Sequence, residues 1–316
     1  MKPLRIVFMG TPEFAVGILD AIINENKYEV AGVITAPDKP AGRGQKIKYS
    51  AVKEYALEKG LRLLQPTNLK NEDFLNELCS LNANLQVVVA FRMLPAVVWQ
   101  MPELGTFNLH ASLLPNYRGA APINWAIING ETKTGVTTFF IDDKIDTGAM
   151  ILNKEIEITP TESAGELHDK LMHLGCEAVV ETLELISGGK VHTTIQNDTP
   201  EIKTAYKLDR ENCKIDFSKD IDTIYNLIRG LSPYPSAYCN FKDGDNEWNV
   251  KIYEAEKVEE LHNISAGTVV TAKKEIKIAV LGGFLVLKSL QFPGKKRMTT
   301  QELLNGMSFS EQTKAF

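Results

Sequence analysis

The sequence predicts an α/β protein in which a doubly wound, mostly parallel sheet is followed by a smaller C-terminal β-barrel. Apolar runs at residues 4–9 and 30–34 flank a helix pattern, and this is the βαβ opening of a parallel sheet. The run LQVVVA at residues 85–90 is apolar throughout, as expected of a central parallel strand. Short strand patterns separated by Gly and Pro fill the chain after residue 205, and these favour a barrel.

The other elements follow from their patterns in chain order. Pro12 suits the first turn of a helix, and Gly188 with Gly189 suits the end of a long one. Helices are predicted from residue 12 and at residues 50–60, 71–82, 164–187 and 221–231. Strands are predicted at 61–64, 106–110, 135–141, 150–158, 237–241, 248–255, 267–272, 276–280 and 283–291. The last five strands suit an OB-like barrel.

The length of 316 residues suits about two domains. Residues 193–204 are polar and include a proline, and the hydrophobic pattern changes at residue 205. We therefore predict a first domain at 1–190, a linker at 191–204 and a second domain at 205–316.

Composition restricts the class of protein. Hydrophobic residues make up 44% of the chain and charged residues 24%, which is typical of a globular protein with a substantial core. The net charge of -5 gives no sign of nucleic-acid binding, so any contact with RNA must use local basic patches. The first residues lack a signal-peptide pattern, and no apolar stretch approaches the roughly 20 residues that cross a bilayer. We therefore expect a cytoplasmic protein without membrane association.

Neither a metal nor a nucleotide cofactor is predicted. No C-x-x-C pair is present, and the spacing of His168 and His173 differs from the i,i+4 spacing of a helical metal pair. No G-x-G-x-x-G follows the first strand, which argues against a dinucleotide site. The four cysteines lie far apart, and we expect them to be buried free thiols: Cys79, Cys176, Cys213 and Cys239.

Three polar side chains are candidates for chemistry. Asn108 and His110 lie two residues apart in a predicted strand, so their side chains project from the same face. Asp146 follows a second apolar run and lies in a turn with Thr147 and Gly148. Strand ends and the loops after them are where open α/β sheets place their ligands. A carboxamide, an imidazole and a carboxylate converge here if the two strands are neighbours.

These residues belong to a longer signature. The pattern N-x-H-x-S-L-L-P-x-x-R-G runs from Asn108 to Gly119, and D-T-G follows at Asp146. The signature resembles that of the formyltransferases that use 10-formyltetrahydrofolate. The resemblance extends over essentially the whole chain and favours the methionyl-tRNA formyltransferase family.

This resemblance implies a Rossmann-like formyltransferase catalytic domain and a C-terminal OB-like tRNA-binding domain. It also implies transfer of a formyl group from 10-formyltetrahydrofolate, as co-substrate, to the α-amine of methionyl-initiator tRNA, which gives the N-formylmethionyl-tRNA of translation initiation.

The three candidate catalytic residues suit that reaction. Asn108 can donate an N–H group to the oxyanion of a tetrahedral intermediate. His110 can transfer protons near neutral pH. Asp146 can either hold the imidazole or accept the proton of the amine through water, and the sequence does not choose between these roles.

The resemblance also implies the folate and tRNA contacts. Two segments match the folate-binding parts of the family: Ser112, Leu113, Leu114 and Pro115, and Phe91, Arg92, Met93 and Leu94. The second segment reads AFRMLP where the family usually has A-Y-G-x-I-L-P, so it is shorter, has no Gly and gains an Arg.

The loop at residues 35–48, for which no helix or strand pattern fits, resembles the family loop that inserts against the acceptor stem of tRNA. The predicted tRNA-binding residues are basic side chains of this loop and of a C-terminal cluster: Lys39, Arg43, Lys46, Lys48, Lys295, Lys296 and Arg297. A monomer is expected.

Four alternatives are open. Sugar-nucleotide formyltransferases share the FNLH-x-SLLP-x-YRG core and a similar second domain but lack the PAGRG-type basic loop. Glycinamide ribonucleotide formyltransferases resemble only the first domain. A 10-formyltetrahydrofolate hydrolase would use water as the acceptor. A non-catalytic folate-binding or RNA-binding module would not need the three polar residues.

Overall fold

A computed structural model describes residues 3–41 and 46–316 of the chain. It contains two compact units. The first comprises residues 1–119, 134–156 and 168–204, and the second comprises residues 120–133, 157–167 and 205–316. The predicted boundaries at residues 190 and 205 stay a prediction. No described helix is long and apolar enough to span a membrane.

The elements are numbered here in chain order. The strands are β1 (Arg5–Gly10), β2 (Glu29–Ile34), β3 (Lys39–Ala41), β4 (Lys46–Lys48), β5 (Leu63–Leu64), β6 (Leu85–Val89), β7 (Thr106–His110), β8 (Arg118–Gly119), β9 (Lys133–Phe140), β10 (Met150–Glu157), β11 (Thr204–Ala205), β12 (Ala237–Asp243), β13 (Asn246–Glu259), β14 (Val269–Ala272), β15 (Glu275–Val280), β16 (Gly283–Gln291), β17 (Met298–Thr299) and β18 (Lys314–Ala315). The helices are α1 (Glu13–Asn24), α2 (Ala51–Glu58), α3 (Glu72–Ser80), α4 (Ala96–Trp99), α5 (Pro122–Ile128), α6 (Ala164–Ser187), α7 (Ile221–Leu231) and α8 (Thr300–Leu304).

The first unit is built on a seven-stranded sheet in the order β10-β9-β7-β6-β1-β2-β5. The pairs β1–β2, β1–β6, β6–β7 and β2–β5 are parallel, so the predicted doubly wound, mostly parallel sheet is confirmed. Strand β6 is buried at every position, as its continuous apolar run predicted. Strand β9 departs from this pattern, because it runs antiparallel to β7.

Side-chain caps define where helices of this unit begin. Ser50 accepts a hydrogen bond from the backbone N–H of Lys53 at the start of α2. Asn71 accepts one from the N–H of Phe74 at the start of α3. Both capping residues were predicted as the first residue of a helix.

The prediction that no strand lies within residues 35–48 is wrong. Strands β3 and β4 pair antiparallel, with Lys39 opposite Lys48 and Pro40 opposite Ile47. Three-residue strands give too few positions for period-two alternation to be detected in a sequence. The intervening residues, including Arg43, lie outside the described part of the chain.

The prediction of four buried thiols is also wrong in part. Cys213 and Cys239 are buried, but Cys176 is half-buried and Cys79 is exposed. Cys79 lies on α3 beside the buried Leu78, and the face of this short helix that packs on the core does not include it.

The second unit contains the predicted barrel. Its strands follow the order β14-β15-β16-β13-β12-β18, and β17 pairs with β16. Strand β18 pairs with β12, and its Ala315 also donates to the carbonyl of Gly267. Thr313, just before β18, accepts the N–H of Val269 at the start of β14, and these contacts close the ring of strands. The interior is filled by apolar side chains such as Phe241, Ile252 and Leu287. The amphipathic helix α7 has its predicted bounds and is capped by Asp220, whose carboxylate accepts the N–H of Thr223.

Candidate active site

Strand β7 places Asn108 and His110 on one face of the sheet. In register with β9, Asn108 lies opposite Phe139 and His110 lies opposite Thr137. His110 is buried and Asn108 is half-buried. Within the residues that the structure describes, no hydrogen bond engages the Asn108 carboxamide. The carboxamide can therefore offer its N–H groups to a bound molecule.

The ring of His110 is fixed by a backbone carbonyl. Its Nε2 atom lies 2.8 Å from the carbonyl oxygen of Tyr117. Because a carbonyl oxygen can only accept, Nε2 carries a hydrogen and donates it. The second nitrogen, Nδ1, faces the Asp146 carboxylate at 3.8 Å from Oδ2. Nδ1 is thus the atom of the ring that can exchange a proton beside this carboxylate.

Asp146 reaches His110 because the loop after β9 folds back. Phe140, the last residue of β9, lies opposite Phe107 near the start of β7, so the end of β9 points away from His110. The carboxylate nevertheless lies next to His110, and its Oδ2 accepts the backbone N–H of Gly119 at 2.9 Å. Strands β7 and β9 are neighbours, as convergence of the three side chains requires, and they pair antiparallel.

The local structure explains why each position of the D-T-G motif carries its residue type. Asp146 has φ 54°, a left-handed conformation that Asp tolerates better than most residues. The hydroxyl of Thr147 donates to the Asp142 carboxylate, with oxygens 2.8 and 2.9 Å away. A Cβ atom on Gly148 would overlap with the carbonyl oxygen of Phe140, so only glycine fits this position.

The predicted folate-binding turn at residues 112–115 is held by Thr137 of β9. The Thr137 hydroxyl donates to the carbonyl of Ser112 at 2.7 Å and accepts the N–H of Leu114 at 3.1 Å. Ser112 is fully buried and donates to the carbonyl of Asn116 at 2.7 Å, while Leu114 is buried in the core. Leu113 and Pro115 are half-buried, and these are the members of the turn that can contact a ligand.

The second predicted folate segment follows β6. Arg92 is engaged within the protein, since its guanidinium donates to the carbonyls of Pro66 and Thr67. Leu94 is buried, Phe91 is half-buried and Met93 is 67% exposed. Phe91 and Met93 therefore present apolar surface at the end of this parallel strand, where open α/β sheets bind ligands.

Sequence reasoning missed Gln196, a buried residue of the segment predicted as a linker. Its amide nitrogen donates to the carbonyls of Asp146 and Gly148, at 3.0 and 2.8 Å. Its amide oxygen accepts two hydrogen bonds from the guanidinium of Arg118. No periodicity could reveal these contacts, because the partners lie far from Gln196 in the sequence.

A cavity of about 350 Å³ lies beside this segment, with Pro115, Met150, Ile195 and Ile202 among its lining residues. Its wall joins the end of the predicted folate-binding turn to residues 194–202. The predicted linker therefore forms part of a folded surface of the first unit.

The predicted tRNA-binding residues differ in their surroundings. Lys39 and Lys48 are exposed and lie opposite each other in the β3–β4 pair. Lys46 belongs to β4, and Arg43 lies outside the described residues.

In the C-terminal cluster, Lys295 and Lys296 are exposed. Arg297 is tied down, since its Nε donates to the Ser289 hydroxyl at 2.8 Å and its guanidinium lies 4.6 Å from the centre of the Tyr253 ring. Among the described residues, no group of three or more His, Cys, Asp or Glu is placed to hold a metal ion.

Comparisons with known proteins agree with this architecture. Residues 4–183 match the family described as Formyl transferase, and residues 207–308 match its C-terminal domain. The methionyl-tRNA formyltransferase of Flavobacterium psychrophilum is 74% identical over 316 residues, which is 100% of both chains. The protein of the same name from Flavobacterium johnsoniae is 71% identical, again over 100% of both chains.

A solved structure shows the same fold. WlaRD, a sugar 3N-formyl transferase crystallised with dTDP and 5-N-formyl-THF, has a TM-score of 0.65 and 22% identity, and the match covers 94% of this chain and 100% of that one. The family profiles and the full-length relatives confirm the resemblance that the sequence predicted. The chain therefore belongs to the formyl transferase family.

Proposed function

We propose that this chain transfers the formyl group of 10-formyltetrahydrofolate to the α-amine of methionyl-initiator tRNA. The observation that carries the proposal is the group formed by Asn108, His110 and Asp146, with His110 Nδ1 lying 3.8 Å from the Asp146 carboxylate. The two relatives that are 74% and 71% identical over 100% of both chains are methionyl-tRNA formyltransferases, which supports this acceptor over others.

The chemistry follows from the properties of these groups. The unprotonated amine attacks the formyl carbon, a C–N bond forms, and the electrons of the C=O bond move to oxygen. Asn108 donates an N–H group to that oxygen and stabilises its negative charge. The attacking nitrogen loses a proton to the Asp146–His110 pair. The electrons on the oxyanion then re-form the C=O bond while the bond between the formyl carbon and N10 of the folate breaks. N10 receives the proton held by the Asp146–His110 pair, and tetrahydrofolate and the formylated amine leave.

The pair can act as one proton-transfer unit. The Tyr117 carbonyl holds Nε2–H, so the ring presents Nδ1 to the carboxylate in a fixed orientation. The backbone N–H of Gly119 donates a hydrogen bond to Oδ2 of Asp146 and holds that oxygen beside Nδ1 of His110. With this arrangement Asp146 orients the imidazole, and either group can take the proton of the amine.

The folate co-substrate lies, in this proposal, against the two segments that the family resemblance implies. Leu113, Pro115, Phe91 and Met93 supply half-buried or exposed apolar surface for a pterin ring. The other members stabilise the shape of these segments and do not contact the folate. Arg92 and Ser112 hydrogen-bond to protein carbonyls, and Leu114 is buried.

The tRNA contacts are proposed for Lys39, Arg43, Lys46 and Lys48 near the β3–β4 pair and for Lys295 and Lys296. Two lysines directly opposite each other in an antiparallel pair repel, and a phosphate between them relieves that repulsion. Arg297 contributes through packing against Tyr253.

We also propose that the protein is a monomer and that the domain boundaries lie at residues 190 and 205. Its cytoplasmic location stays a prediction.

The test is an acceptor comparison with purified protein and 10-formyltetrahydrofolate. The acceptors are methionyl-initiator tRNA, methionyl-elongator tRNA, an amino-sugar nucleotide and no acceptor. Formyl transfer to the initiator tRNA alone is the expected result. Transfer to the sugar nucleotide would replace the proposal with the activity named for WlaRD. Deformylation without an acceptor would indicate a hydrolase, and folate binding without turnover would indicate a binding module.

A further inference from the structure

Gln196 uses its whole hydrogen-bonding capacity inside the candidate active site. An amide side chain has two N–H donors and an oxygen that accepts two hydrogen bonds. The two donors are taken by the carbonyls of Asp146 and Gly148, at 3.0 and 2.8 Å. The oxygen accepts from Nε and Nη2 of Arg118, at 3.1 and 2.8 Å. The side chain is buried, so water does not substitute for these partners.

These contacts close a ring around the catalytic carboxylate. Gln196 holds the backbone of Asp146 on one side and the side chain of Arg118 on the other. Gly119, next to Arg118 in the chain, donates its N–H to Asp146 Oδ2. Gln196 therefore holds the backbone of Asp146 and the side chain of Arg118, on the two sides of the hydrogen bond that places the carboxylate beside His110.

The backbone of Asp146 needs such support. Its φ of 54° lies in the left-handed region, which is unfavourable for a residue with a Cβ atom. A conformation of this kind persists when surrounding contacts determine it. Here the contacts are the Gly119 N–H on the side chain and the Gln196 amide on the carbonyl of the same residue.

We propose that Gln196 is a positioning residue for formyl transfer, acting through Asp146 and not through the substrates. This inference rests on the proposed function. It assigns a role in the reaction to the segment after residue 190, which sequence analysis treated as a linker.

The test uses Gln196→Glu, which keeps the size of the side chain. The carboxylate still accepts from Arg118, but it has no N–H groups for the carbonyls of Asp146 and Gly148 and repels them. Because a displacement of about 1 Å at a reacting group can cost about 100-fold in rate, we expect kcat to fall by about 10- to 100-fold. KM for both substrates stays within about 3-fold, since the hydrogen-bonding positions of Gln196 are all taken by protein groups and a positioning loss affects the chemical step.

The matched control is Asn197→Asp, which adds the same charge at the adjacent, exposed position. We expect it to keep the kcat of the unchanged protein. Amide hydrogen exchange supplies a readout that does not depend on activity. In Gln196→Glu, exchange accelerates in peptides that cover residues 141–149, while peptides of β1 and β6 keep their protection.

The outcomes separate the two proposals. If the unchanged protein transfers no formyl group to any acceptor, the proposed function fails, and the exchange result alone decides whether Gln196 holds the loop. If the unchanged protein is active and Gln196→Glu keeps both its kcat and its exchange pattern, the positioning role is overturned. Equal losses of kcat in Gln196→Glu and Asn197→Asp would also overturn it, because added charge would then explain the effect. Should Gln196→Glu fold poorly, Gln196→Met, which keeps the length without charge, must show the same fall in kcat at unchanged KM.

Discussion

Asn108 is the residue whose role is simplest to isolate. Its carboxamide is half-buried and makes no side-chain hydrogen bond within residues 3–41 and 46–316. Replacing Asn108 with Ala therefore breaks no described side-chain hydrogen bond of the fold and removes a donor for the oxyanion. We expect kcat to fall by about 10²- to 10³-fold, or about 3 kcal/mol, with little change in KM. Steady-state kinetics with methionyl-initiator tRNA measures both values.

The control for this prediction is Asn24→Ala, at the exposed end of α1. Asn24→Ala should keep the kcat of the unchanged protein. A fall in kcat for Asn108→Ala then comes from the active site and not from the preparation of a variant protein. A variant Asn108→Ala with unchanged kcat would show that the oxyanion is stabilised by another group.

At the scale of elements, the loop at residues 141–149 matters most for the site. Its Gly148 packs its backbone against the carbonyl of Phe140 so closely that a Cβ atom would overlap with that oxygen. The substitution Gly148→Ala must push the loop away from β9 and displace Asp146. We expect about 100-fold lower kcat and a loss of about 1–3 kcal/mol in the free energy of unfolding. Kinetics and thermal unfolding test these two effects.

Gly306→Ala is the matched control, because a Cβ atom there meets nothing within 4 Å. It should leave both kcat and Tm unchanged. The packing explanation would be wrong if Gly148→Ala folded with normal Tm and kept normal kcat.

Helix α7 gives a prediction on pH. The backbone N–H and the hydroxyl of Thr223 donate to the Asp220 carboxylate, and these hydrogen bonds lower its pKa below the ordinary value of 3.8. A lowered pKa in the folded state means that the unfolded state binds more protons at acid pH. The stabilisation by Asp220 is therefore complete above about pH 4 and is lost as the pH falls through the lower, folded pKa.

The substitution Asp220→Ala should cost about 1 kcal/mol of stability at pH 7, as the loss of a helix cap usually does. The difference in Tm between this variant and the unchanged protein should shrink at pH 3. Asp220→Asn keeps a capping oxygen without a titrating group, so its Tm difference at pH 7 should be smaller than that of Asp220→Ala and should change with pH by a similar amount. A difference for Asp220→Ala that is the same at pH 7 and pH 3 would contradict the role of the carboxylate charge.

For the whole molecule, local patterns predicted the positions on which the fold depends. The strand with Asn108 and His110 has its predicted bounds, since period-two alternation is visible over five residues. Gln196 could not be predicted, because its partners Arg118 and Asp146 lie 78 and 50 residues away. The direction of β9 is likewise set by pairing with β7, which no local pattern encodes.

The net charge of the whole molecule decides how it can bind tRNA. With 35 basic and 40 acidic residues, the chain is acidic overall, so its long-range field does not attract RNA. Affinity must come from a few basic side chains that contact phosphates directly. Lys295 and Lys296 are exposed. Arg297 beside them hydrogen-bonds to Ser289, which holds this end of the cluster in place.

We expect the double substitution Lys295→Ala and Lys296→Ala to weaken tRNA binding and to reduce the salt dependence of log Kd by about one unit per lost phosphate contact, or about two in total. Saturating tRNA should restore the normal kcat, because the lysines act only on binding. The comparison is Lys273→Ala with Lys274→Ala, two exposed lysines at the turn between β14 and β15. That pair changes the net charge equally, so an equal effect on the salt dependence would mean that overall charge, and not contact at the cluster, controls the affinity.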